Sequence, residues 1–127
     1  MTTFWVDGMP APQGSKKHVG NGRLIESSKA LPAWRKAVTE AARQAHTGNP
    51  IDRPVTVQAD FFMPRPKRPR FDVPATAPDL DKLQRAIGDG MEQGGLLAND
   101  SRIVQWIATK HYGDTTGCRI TIKESEV

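Results

Sequence analysis

The amino-acid sequence predicts a small α+β domain, because its apolar residues follow a helical period in some stretches and a strand period in others. Between Ser28 and His46, the residues Trp34, Ala37, Val38, Ala41 and Ala45 recur at three- and four-residue steps. Leu80, Leu83, Ile87 and Met91 repeat that spacing further along. Between Pro54 and Phe62 the alternation is strict, with Val55, Val57, Ala59 and Phe61 on one side and Thr56, Gln58 and Asp60 on the other. A chain of 127 residues holds one hydrophobic core and hardly two, so a single domain is expected.

Taken in order, Phe4 to Val6 reads as a short strand, followed by the Gly- and Pro-punctuated segment Asp7 to Ser15 that runs into Lys16, Lys17 and His18. Such a segment is either mobile or binds something. Pro32 suits only the first turn of the helix that follows. The Pro54–Phe62 strand is expected to be half-buried, its polar side in solvent. Next comes Met63-Pro64-Arg65-Pro66-Lys67-Arg68-Pro69-Arg70, whose prolines exclude a helix and whose cations demand exposure. The second helix stops at Gly94-Gly95. Ile103 to Tyr112 and Cys118 to Lys123 then read as a hairpin around Gly113 to Gly117.

Composition narrows the function. The formal net charge of +4 favours a polyanionic partner, since clustered Lys and Arg gain affinity by releasing counterions from phosphates. The single cysteine, Cys118, excludes an internal disulfide and a cysteine zinc cluster, and fits a reducing compartment. No apolar run reaches the roughly 20 residues of a membrane span, and Met1 to Trp5 does not read as a signal peptide, so no membrane association is expected. His18, His46 and His111 are scattered without HExxH spacing, which argues against a zinc hydrolase.

The segment Pro78-Asp79-Leu80-Asp81-Lys82-Leu83-Gln84-Arg85 sets two carboxylates at the entrance of a helix. Magnesium takes oxygen ligands and commonly only a few carboxylates, leaving its other positions to water and phosphate. Two helical residues so spaced would point apart, so Asp79 must be extended and at the N-cap, with Asp81 in the first turn. Asp100, between helix and strand, is the third candidate ligand. Mutual repulsion should then raise one carboxyl's pKa. Asp81, Arg85 and Asp89 share the helix face opposite the apolar stripe. Taken alone, the acids also have a purely structural account, in which Asp79 caps, Asp81 and Asp89 pair with Arg85, and Asp100 closes a turn.

Three pieces, Pro12-Gln13-Gly14-Ser15-Lys16-Lys17, Pro78 to Ala86 with Asp89, and Asn99-Asp100-Ser101-Arg102-Ile103-Val104, resemble the RusA family of Holliday junction resolvases, small phage and bacterial endonucleases. The resemblance implies a RusA-like mixed sheet with two main helices, a homodimer, and magnesium, with manganese able to substitute, on Asp79, Asp81 and Asp100. It implies a cytoplasmic enzyme of a bacterial or phage-infected cell that needs no small-molecule cofactor. The family often has lysine where this chain has Arg85, and two acids where it has Asn99-Asp100. A guanidinium stays protonated, so Arg85 could stabilise phosphate charge but hardly relay a proton.

The expected chemistry is paired hydrolysis of phosphodiesters in a four-way junction during recombination and repair, the catalytic set being Asp79, Asp81, Asp100 and Arg85. Lys16, Lys17, Arg65, Lys67, Arg68, Arg70 and Lys82 would contact the DNA backbone. A two-fold dimer matches a junction that needs two cuts, with Leu96, Leu97, Trp106 and Ile107 as candidate interface residues. The competing readings are a non-catalytic DNA-binding protein and a nuclease for other branched DNA such as flaps.

Overall fold

The computed structural model describes residues 1–14, 16–19, 23–26 and 29–127, without the side chains of 16–19 and 23–26. In chain order these form β1 (Thr2–Asp7), β2 (Lys16–Val19), β3 (Arg23–Glu26), α1 (Leu31–Ala45), β4 (Val55–Met63), α2 (Leu80–Gln93), a 3-10 turn (Asp100–Arg102), β5 (Ile103–Tyr112) and β6 (Gly117–Glu124). The main sheet has the order β1-β6-β4-β5, and β2 and β3 make a separate antiparallel hairpin. Sequence periodicity misses that hairpin, whose short strands follow a segment rich in Gly and Pro. The two helices, the mixed sheet and the single small domain agree with expectation.

Two strand assignments need correction. β5 and β6 are not a hairpin: β4 lies between them, parallel to β5 and antiparallel to β6. The link from β5 to β6 therefore crosses the end of β4, and Gly113 N donates to Met63 O at 3.0 Å there. A Cβ on Gly113 would stand 3.0 Å from Phe62 Cβ, so the crossing is tight and favours glycine. The polar side of β4 is not uniformly wet either. Thr56 is buried, its Oγ1 donating to Gln105 Oε1 at 3.0 Å, because β4 has a neighbour on each edge.

The core lies between the helices and one face of the sheet. Trp34 and Val38 of α1, Leu83, Ile87 and Met91 of α2, and Val57, Phe61 and Ile120 of the sheet are all buried. Each such side chain is worth about 1.5–3 kcal/mol in removed apolar surface. α1 begins with Pro32 in its first turn, as its ring requires. α2 ends at Gly94, and Gly95 follows with φ +80°. Leu96 and Leu97 then enter the core, at 0% and 1% exposure, which removes them as interface candidates.

The helices meet at Gly90, where an added Cβ would lie 2.8 Å from Val38 Cβ. Gly90→Ala is expected to cost about 1–3 kcal/mol by overpacking, despite alanine's better helix propensity. Gly88→Ala, whose Cβ would meet Asp100 Cβ at an ordinary 3.6 Å, is expected to be neutral or to gain up to about 1 kcal/mol. Urea denaturation of the two variants checks the contrast. Burial, and then the charge of Asp60, push the Cys118 thiol up from its ordinary range. Iodoacetamide should therefore label Cys118 only after unfolding, and rapid labelling of the native protein would contradict the strand order.

Candidate active site

α2 carries the site on the face it does not bury. While Leu83, Ala86, Ile87 and Met91 turn to the core, Asp81 and Arg85 are exposed and Asp89 is half-buried. A cleft of about 260 Å³ is lined by these three with Gln84 and Gly88, by Asp100 from the 3-10 turn, and by Ile103 and Trp106 of β5. The expectation that Asp81, Arg85 and Asp89 share a face is met, and Asp100 joins them.

Local geometry explains why Asp100 is available. Asn99 does the capping, its Oδ1 accepting from Ser101 N at 2.8 Å, so the carboxylate next to it is spared that task. Asp100 N donates to Glu92 Oε1 at 2.8 Å, which ties the turn to α2. Partial burial holds the Asp100 carboxyl above its ordinary range, helped by a hydrogen bond with the Asp89 side chain and by the charges of Glu92 and Asp89. A raised carboxyl was expected from crowding among Asp79, Asp81 and Asp100. The crowding partners here are Asp89 and Glu92.

Asp89 is itself held in place. Gln13 Nε2 donates to Asp89 Oδ2, and Arg35 Nη1 lies 3.7 Å from the same oxygen. Arg35 also donates to Gln13 Oε1 and, at 2.5 Å, to Gln93 Oε1, while Gln13 N donates to Lys82 O at 3.0 Å. Gln13 thus pins the N-terminal segment onto α2, in a stretch expected to be mobile or ligand-binding. Sequence reasoning missed Gln13 and Arg35 as site residues; Gln13 stands inside the quoted Pro12-Gln13-Gly14 piece, but Arg35 gave no signal beyond its charge.

Asp79 is the extended N-cap, with φ −69° and ψ 140°. Its side chain makes no capping hydrogen bond, although its carbonyl accepts from Leu83 N at 3.1 Å. The carboxylate is 3.5 Å from Lys82 Nζ and lines a second cleft, separate from the one that holds Asp81 and Asp100. Two of the three expected ligands therefore share a cleft, and the structure does not bring the third, Asp79, together with them. Among the described residues no ion pair joins Arg85 to Asp81 or Asp89, which leaves the purely structural account of these acids without its central contact.

Arg85 packs its guanidinium against Gly14, where a Cβ would lie 3.0 Å from Cζ. Arg65, Lys67, Arg68 and Arg70 are exposed on the connection between β4 and α2, as expected, with Arg65 over Tyr112 at 5.8 Å and Arg70 over Phe71 at 5.1 Å. Lys16 and Lys17 lie in β2, but their side chains, like all of Ser15, are outside the described residues. Ile107 is exposed on the sheet, and Trp106 is half-buried in the acidic cleft.

Among the described residues no three acids, histidines or cysteines stand preassembled around a metal position. The donors nevertheless fit a hard divalent ion. Burial first, and then the neighbouring Asp89 and Glu92, hold the Asp100 carboxyl above its ordinary range, and a cation would favour its charged form. Magnesium needs only one or two carboxylates when water and phosphate complete its octahedron.

The family model described as Endodeoxyribonuclease RusA matches residues 7–123 of the 127. No curated protein matches the chain.

Because the folded protein holds the Asp100 proton more tightly than the unfolded chain does, this group's contribution falls as pH rises from the ordinary carboxylate range through the raised value. In metal-free protein, Asp100→Asn is expected to remove that loss and raise Tm at neutral pH. The gain should stay below about 1 kcal/mol because the residue is exposed. Melts in EDTA at acidic and neutral pH check this, and a lower Tm for the variant at neutral pH would count against the crowded-carboxyl picture.

Proposed function

We propose, proceeding from the fact that the chain belongs to the RusA family of endodeoxyribonucleases, that it resolves four-way DNA junctions by magnesium-dependent hydrolysis in the acidic cleft. Membership makes it a nuclease of the Holliday junction resolvase kind, and RusA nucleases are generally metal-dependent. The choice of magnesium, with manganese as substitute, and the roles of individual residues are our reading. The observation that carries it is the gathering of Asp81, Asp89, Asp100 and Arg85 into one cleft on a basic chain.

In this reading Asp81 and Asp100 would hold the ion, and Asp79, whose carboxylate lines the neighbouring cleft, would become a third ligand only by turning across the helix entrance. Bound magnesium supplies Lewis acidity, which activates water for attack on the phosphate and offsets the charge that develops. Asp89, fixed by Gln13 and Arg35, positions the Asp100 carboxyl. Arg85 stays protonated throughout and stabilises the equatorial phosphate oxygens, a role in which a planar fork of donors suits better than a point charge. Lys82, half-buried beside Asp79, neutralises the flanking backbone, and Arg65, Lys67, Arg68 and Arg70 extend the basic surface. A two-fold homodimer would present one such cleft to each of two strands of like polarity.

The test is cleavage of a synthetic four-way junction, a linear duplex and a flap, with magnesium, manganese or EDTA. Paired cuts in the junction are expected, abolished by EDTA and reduced at least about 100-fold in Asp81→Asn. Arg85→Lys should keep part of the activity and Arg85→Ala little of it. Preferred cutting of the flap would reassign the substrate, and tight binding without cutting would leave a DNA-binding protein.

A further inference from the structure

Beside the acidic cleft lies a larger one of about 740 Å³, built of different chemistry. Six prolines line it, with Met9, Met63 and Tyr112, and its charged residues are Lys29, Lys110 and Asp79. The walls come from the segment after β1, the start of α1, the ends of β4 and β5, and the connection that leads into α2. Lys110 Nζ donates to Thr76 O at 2.9 Å and to Pro78 O at 2.8 Å, which fastens that connection to β5. A cleft walled by proline rings and tied by these bonds is preformed, so filling it costs little ordering.

We infer that this cleft takes an unpaired nucleobase of the strand whose phosphate lies in the acidic cleft, an inference that rests on the proposed junction cutting. Position is the first argument. Asp79 lines the apolar cleft and Asp81 the acidic one, and two residues span at most about 7 Å of chain. That is about two steps of a stacked strand at 3.4 Å each, so a phosphate in one cleft puts a neighbouring base at the mouth of the other.

Chemistry is the second argument. A base offers flat faces to apolar and thioether walls and polar edges to a few fixed groups, and the lining supplies both. Lys110 has three N–H donors, of which two go to the carbonyls of Thr76 and Pro78, leaving one for an acceptor on a base edge. Lys29 lines the cleft and Arg65 stands over the ring of the lining residue Tyr112, cations that suit the phosphates flanking an extruded nucleotide. At the crossing point of a junction the strands leave their duplexes, so unpairing a base costs least there. Seating one base then sets which phosphate meets the carboxylates, and the cleft becomes the origin of any preference for the nucleotide beside the cut.

The experiment places 2-aminopurine, one position at a time, around the cut site of a junction and follows its emission on binding wild-type protein in EDTA. Emission should rise severalfold at one position next to the cut phosphate. An abasic nucleotide there should slow magnesium-dependent cutting by wild type about tenfold, the low end of what stacking one base is worth. Ala30→Trp, which fills the cleft from the start of α1, should cut the intact junction about tenfold more slowly and abolish the emission change. It should be indifferent to the abasic nucleotide and bind the junction within about threefold of wild type. Unchanged emission at every position, with normal cutting, would overturn the inference and leave the resolvase reading intact. A wild-type protein that cuts no branched DNA would overturn both. The fluorescence and abasic arms use the unaltered protein, so misfolding of Ala30→Trp would not rescue the idea.

Discussion

Parallel pairing of β5 with β4 is the constraint from which the site follows. Parallel neighbours cannot be joined by a tight turn, so the chain must leave the end of β4 and return to the start of β5 through a long crossover. That crossover is the proline-rich basic connection, then α2, then the 3-10 turn. It lays α2 over the core face of the sheet and delivers Asp100 beside the helix just before β5 begins. The acids therefore meet because two elements distant in function, a helix face and a strand entrance, are fixed to one sheet. β6 then occupies the far edge of β4, and the last connection passes close over the strand end at Gly113.

The same helix that secures the core also carries the electrostatic cost of the site. Leu83, Ile87 and Met91 anchor α2, so its opposite face can hold Asp81, Asp89 and, from the neighbouring turn, Asp100 with little freedom to relax. Burial is the main cause of the raised Asp100 pKa, and the neighbouring Asp89 and Glu92 add to it. Partial relief comes from Gln13 and Arg35, which address Asp89 alone. Asp81 and Asp100 have no such partner among the described residues, and this asymmetry separates a positioning acid from those left to bind something.

Much of this was legible in the sequence, and the failures have physical causes. The helix stripes, the alternating strand and the Gly94-Gly95 stop were readable because each is a local pattern fixed by backbone period or turn chemistry. So was the extended Asp79, from the proline before it and its place at the helix N-cap, although the expected convergence with Asp81 is not seen. The supposed β5–β6 hairpin failed because strand adjacency in sequence does not set adjacency in a sheet, and the inserted β4 is a long-range pairing. Thr56 failed for the same reason, since a polar residue on a central strand can be buried once a neighbouring Gln105 satisfies it. Gln13 and Arg35 act across distances in sequence of 76 and 22 residues, beyond any local signal.

The extended conformation of Asp79 has a further meaning once the surface is considered as a whole. Had Asp79 continued the helix, it would have pointed to the side opposite Asp81 and into the protein's own packing. As an N-cap it instead lines the proline-walled cleft, while Asp81, in the first turn, belongs to the acidic one. The Asp79-Leu80-Asp81 segment is thus a divide between a polar cleft that suits phosphate chemistry and an apolar cleft that suits a base. A nucleotide is itself divided in that way, with charge at one end and an aromatic face at the other. The half-buried Leu80 between the two acids keeps the divide in place by packing against the core, so the spacing of the two clefts is held by hydrophobic contact rather than by the charges it separates.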